Sequence, residues 1–121
     1  MKQRCCMTRH DPLLSVRQML DHTREAVQMA HGRTRGDLDT DRSLNLSLTH
    51  LVEIVGEAAS RVSEEFRHRY PAVPWHQTIG TRNRLIHGYD TVDFDILWTI
   101  VTQDLPPLVE LLERILQQEE G

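Results

Sequence analysis

An all-α helical bundle is the fold class this 121-residue sequence predicts, and three observations predict it. Three segments carry apolar residues at helical spacing. No stretch alternates apolar and polar residues with the period of two that a strand requires. Glycine, proline and aspartate gather between the periodic segments.

The first segment places Leu13, Val16, Leu20, Val27 and Ala30 at steps of three and four, with Thr23 in the missing step. That spacing draws one apolar stripe along a helix. Asp11-Pro12 is its start signal, a capping acid followed by proline at the first helical position. Gly32 and Gly36 lie near its end, and Arg33 to Arg42, with three aspartates, reads as a loop. The second segment runs from about Ser43 to Tyr70 on Leu44, Leu48, Leu51, Val55, Ala58, Val62 and Phe66, and Pro71 and Pro74 end it. The last begins near Asp93 and carries Phe94, Leu97, Val101, Leu105, Leu108, Leu112 and Ile115. Pro106-Pro107 interrupts it, which predicts a kink or a break.

The length suits one domain with its own core, read as residues 11–118, preceded by an N-terminal extension, residues 1–10, with no expected order. Cys5 and Cys6 are adjacent, a strained arrangement for a mutual disulfide. With no disulfide framework and no metal-ligand spacing, they point to a reducing, cytoplasmic setting. Met1 to His10 has charge but no apolar run, so no signal peptide is expected. No stretch approaches the roughly 20 apolar residues of a membrane span.

A net charge of −4 does not advertise a nucleic-acid binder, but the distribution says more. Of the 14 basic residues only Lys2 is a lysine. From Arg61 to Asp90, five arginines face three acids, a local +2 that leaves −6 for the remainder. Arginine suits planar, bidentate phosphate contacts better than lysine does. An ordinary solvated surface explains the same counts.

Between Pro74 and Tyr89 the sequence predicts a shorter helix. On a wheel of 100° per residue, Trp75, Ile79 and Ile86 share a stripe with Arg82 in its middle. An arginine facing a core is costly unless a charge meets it, and Glu57 is a candidate ion-pair partner. Asn83 and His87 share a neighbouring stripe with His76. Arg82 and His87 lie about 140° apart on an ideal helix. A helix end, the long arginine side chain or a second subunit must bring them to one ligand. Gly88 is a natural stop that would leave His87 in the last turn, where the helix dipole favours a protonated imidazole.

The run Gly80-Thr81-Arg82-Asn83-Arg84-Leu85-Ile86-His87-Gly88-Tyr89 resembles the signature of HEPN ribonucleases, and its His-x-Tyr ending is similar to the HepT-like branch of toxins. Gly56-Glu57-Ala58 resembles that family's Gly-Glu-Ala on the long second helix, and Pro71-Ala72-Val73-Pro74-Trp75 its Pro-x-x-Pro-Trp turn. Val92-Asp93, Ile96-Leu97-Trp98 and Asp104-Leu105-Pro106 resemble the start and middle of its last helix. The resemblance implies a HEPN-type bundle of four to five helices, with the motif on a short helix after the Pro-Trp turn. It also implies a homodimer whose two motifs face one cleft and cleave RNA with neither metal nor cofactor. The 2′-hydroxyl of RNA is then the nucleophile, which excludes DNA. His87 would move protons and Arg82 would hold phosphate oxygens, with Asn83 and Glu57 in support. The family further implies a minimal nucleotidyltransferase antitoxin that attaches AMP to the tyrosine matching Tyr89.

Blander readings stand beside each role. Arg82 and Glu57 could be a structural pair, His87 a helix-ending polar residue, Tyr89 a packing residue, Gly56 a close helix crossing and Trp98 a core residue. His50, Glu53 and Glu57 share a helix face, but one face with one histidine is a poor metal site. For the whole chain, two alternatives to a ribonuclease toxin remain. One is a non-catalytic HEPN binding module that partners a minimal nucleotidyltransferase and presents its substrate. The other is a dimeric bundle without chemistry.

Overall fold

The computed structural model describes residues 11–87, with His87 by its backbone alone, and residues 91–120. The N-terminal extension with Cys5 and Cys6 lies outside the described residues, as do Gly88 and Tyr89. Described helix α1 spans Pro12–Ala30 and starts as its sequence predicts: Asp11 Oδ1 accepts from the Leu13 N–H at 2.9 Å, with Pro12 in the first turn. Val16, Leu20, Thr23 and Ala30 are buried along its stripe. The chain leaves it through Gly32, at φ +78°, a conformation that costs glycine little and other residues more.

The segment expected to be a loop contains a helical turn, α2, at Asp37–Thr40. The aspartates create it. Asp37 accepts from the Thr34 N–H at 2.8 Å, and this local bond bends the chain into a turn that buries Leu38 completely. Asp41 then caps α3, Arg42–Ser60, accepting from the Leu44 N–H at 3.0 Å. That bond, with Arg33 beside it, holds the Asp41 carboxyl below the ordinary carboxylate range.

The second periodic segment does not run unbroken to Tyr70. It stops at Ser60, and α4 occupies Glu64–Arg69. Ser63 explains the break: its Oγ accepts from the Phe66 N–H at 3.2 Å, and Glu64 and Glu65 fill the first turn. A capping hydroxyl followed by acids is a helix start. Periodicity hides it, because Val62 and Phe66 both stay buried across the break. Next come α5, Trp75–Ile79, and α6, Thr81–Leu85, then a two-stranded antiparallel ribbon pairing β1, Ile86–His87, with β2, Thr91–Val92. The ribbon is too short for any alternation to announce it.

The last periodic segment opens with α7, Phe94–Thr99, capped by Asp93, and closes with α8, Leu105–Glu120. Between them, Ile100–Asp104 winds as a π-helical turn in which the Leu105 N–H donates to Ile100 O, five residues back. This is the interruption that Pro106-Pro107 predicts. Both prolines lack an N–H and crowd the carbonyls a turn before them, so the α register yields there without ending the helix.

The core lies where α1 crosses α3 and α8, filled by Val16, Met19, Leu48, Val55, Leu97, Leu112 and Ile115. Burying each such side chain stabilises the fold by about 1.5–3 kcal/mol. Trp98 is half-buried against this core rather than inside it. Arg17–Glu120 and Arg24–Glu113 tie α1 to α8 at the surface, where ion pairs contribute little. No described helix is long and apolar enough to cross a membrane.

The predicted close crossing at Gly56 is present. A Cβ there would stand 3.1 Å from Thr78 O and 3.7 Å from Ile79 O, both backbone atoms of α5. Gly56→Val should therefore push α5 off α3 and cost about 1–3 kcal/mol, read as a lower urea midpoint. A midpoint equal to the wild type would contradict this packing.

Candidate active site

The motif is delivered by a short, tightly bonded turn. Val73 is buried after Pro71, and the Trp75 indole donates to Tyr70 O at 3.0 Å, which fixes the ring at the start of α5. Thr78 Oγ1 donates back to Pro74 O at 2.8 Å. Gly80 separates α5 from α6 and provides no side-chain cap to either.

This break changes the wheel on which Arg82 was expected to face the core. In α6 the inward residues are Thr81 and Leu85, 5% and 0% exposed, four positions apart. Arg82 and Asn83 are both exposed. The stripe drawn through Trp75, Ile79, Arg82 and Ile86 assumed one continuous helix, and the interruption at Gly80 resets its phase. The cost of a core-facing arginine is therefore absent, and so is the expected pair. Among the described residues Arg82 has no ion-pair partner, and Glu57 is exposed.

Arg82, Asn83 and Glu57 nonetheless line one open groove, between α6 and the outer face of α3. His50, Glu53 and Ser60 complete its α3 wall, and Ile79 contributes from α5. A second groove adjoins it at His50 and Glu53 and reaches Arg42, Leu46, Thr91, Val92 and Phe94. Leu46 is 51% exposed there.

His87 does not sit in a last helical turn. The helix ends at Leu85, and Ile86, at φ −84° and ψ 124°, turns the chain into β1 before Gly88 is reached. The reason is pairing: β1 bonds to β2, and the Asp93 N–H donates to Leu85 O at 2.8 Å. The helix-dipole argument for a protonated His87 loses its basis. The helix end does take the His87 backbone off the ideal helix on which it lay about 140° from Arg82.

Sequence reasoning missed one polar assembly under the motif. Arg84 Nη1 donates to Asp104 Oδ2 at 3.2 Å, and Gln77 Nε2 donates to the same oxygen at 3.4 Å. Asp104 entered the reading only as part of a motif; its place in the π turn could not be seen in periodicity. Among the described residues, no group of three or more His, Cys, Asp or Glu side chains is placed to hold a metal ion.

The chain matches the family model described as "Ribonuclease HepT-like" over residues 19–115. It is 32% identical over 107 residues to "Putative RNase TTE0752" of Caldanaerobacter subterraneus subsp. tengcongensis, covering 85% of this chain and 96% of that one. It is 27% identical over 107 residues to "Putative RNase MJ1380" of Methanocaldococcus jannaschii, covering 88% and 98%. With "Probable ribonuclease HepT" of Thermococcus cleftensis it shares 30% identity over 100 residues, covering 79% and 91%. No solved structure gives a significant match. By the extent of the family match and these identities, the chain belongs to the HepT-like ribonuclease family.

Proposed function

We propose that this protein is a metal-independent endoribonuclease toxin, cleaving RNA with Arg82 and His87 at a homodimer cleft and neutralised by a nucleotidyltransferase antitoxin. The observation that carries the reading is Arg82: exposed, without an ion-pair partner among the described residues, and set on a groove beside Asn83. A guanidinium not committed to a carboxylate is available to phosphate oxygens. His87 follows the helix end by two residues and is the one imidazole of the motif.

In the proposed reaction the 2′-hydroxyl of RNA attacks the adjacent phosphorus and the 5′-oxygen of the next nucleotide leaves. His87 takes or returns the proton, and Arg82 stabilises the charge gathering on the phosphorane. Asn83 orients the phosphate or the imidazole by hydrogen bond. Glu57, across the groove, supports the site through its carboxylate rather than by pairing with Arg82. Arg82→Ala and His87→Ala should fold and lose cleavage, His87→Ala by about 10²–10⁴-fold. Products should end in a 2′,3′-cyclic phosphate, with EDTA present throughout. EDTA-sensitive cleavage leaving 5′-phosphates would overturn the mechanism.

The groove also supports the dimer. Leu46 is exposed beside half-buried Val92 and Phe94, an apolar margin next to the two charged walls. A second copy packed two-fold on this margin would set two motifs on one cleft. Light scattering at micromolar concentration should give a dimer, and Leu46→Glu should shift it to monomer with loss of cleavage. A fully active monomer would refute the arrangement.

Tyr89 follows His87 by two residues. Transfer of AMP from ATP to its hydroxyl forms a phosphodiester, releases pyrophosphate and frees the phenolic proton. The new phosphate would compete for Arg82, and the adenosine would occupy the groove. Co-expression with the cognate nucleotidyltransferase should add one AMP mass per chain at Tyr89. Neutralisation of Tyr89→Phe as complete as that of the wild type would sink this mechanism.

A further inference from the structure

The motif segment carries two arginines that leave α6 on different sides. Residues two apart on a helix diverge by about 200°. Arg82 lines the groove, whereas Arg84 reaches Asp104. Asp104 closes the π turn, and its Oδ2 accepts from both Arg84 on α6 and Gln77 on α5. One carboxylate oxygen thus spans the break at Gly80. We infer that Asp104, with Arg84 and Gln77, is a clamp of positioning residues that sets the angle of α6 and so aims Arg82 into the groove.

The physical need is plain. A five-residue helix has no stability of its own, and Gly80 gives it no side-chain cap. Thr81 and Leu85 anchor one edge in the core. Two anchors on one edge leave rotation about the line joining them. Asp104 supplies the third point, off that line and on a turn packed into the core through Ile100 and Val101. The π turn is what the clamp depends on, because one residue more or fewer would swing Asp104 by about 100°. A small pocket under the clamp, bounded by Thr78, Thr81, Arg84, Ile100 and Asp104, marks where these elements meet.

The pair itself is about one-third exposed on each side, 34% and 31%, so it adds little to global stability. That separates positioning from a structural role. The inference rests on the proposed role of Arg82, so two measurements are paired: RNA cleavage kinetics, and hydrogen exchange of the Thr81–Leu85 amides. For Asp104→Ala, exchange in α6 should quicken while α1 and α3 stay protected and the melting temperature holds. A misplacement of this kind should lower kcat by about 10- to 100-fold with KM little changed. Arg84→Ala should match it, and the double variant should be no worse than either single one. Unchanged exchange in α6, unchanged kcat, additive losses, or a fall in activity that tracks a fall in melting temperature would each overturn the clamp. If the wild type itself cleaves no RNA, the ribonuclease reading fails. The exchange arm then decides the clamp alone: localised quickening supports it and unchanged exchange overturns it.

Discussion

The carbonyl of Thr78 lies 3.1 Å from where a Cβ on Gly56 would stand, and most of the site's geometry follows from that approach. It lets α5 cross directly over α3 with no side chain between them. Ile79 is thereby brought against α3, and the residues after Gly80 emerge above the face that carries His50, Glu53 and Glu57. A bulkier residue at position 56 would push the two walls apart and change the shape of the groove. The apolar core supports this crossing from below, with Val52 and Val55 of the same helix turned inward.

Much of this was legible in the sequence, for identifiable reasons. Long apolar stripes fix helices because burial dominates their stability, so α1, α3 and α8 lie where periodicity places them. Asp11-Pro12 and Gly56 were legible because a cap and a close approach each demand a narrow set of residues. The misses share one cause. Ser63, Gly80 and the aspartates near Asp37 act through single local hydrogen bonds or missing side chains, and these cut or create helices without disturbing the apolar spacing. A wheel drawn across Gly80 therefore turned Arg82 inward when it is exposed. The Asp104 assembly was hidden more deeply, since residues 27 and 20 positions apart meet only through the π turn.

The site sets one guanidinium against two carboxylates, since Glu53 and Glu57 face Arg82 across the groove. The carboxylates lower the net attraction for a polyanion at the groove mouth. They also leave the arginine as the main positive feature inside, which favours a phosphate held in one place over diffuse adhesion to any nucleic acid. The acidic balance of the whole chain acts in the same sense.

The π turn has a consequence for the order in which the protein is made. The motif segment is anchored by Asp93, which donates to Leu85 O, and by Asp104, which receives Arg84, and both follow it in the chain. A growing chain that has emerged only as far as Tyr89 has α6 seated by Thr81 and Leu85 but lacks both of these bonds. Domains fold as units as synthesis proceeds. Here the second of these bonds needs the π turn, 20 residues further along the chain than Arg84. Chains that end before Asp104 therefore lack the bond that ties Arg84 to the rest of the domain.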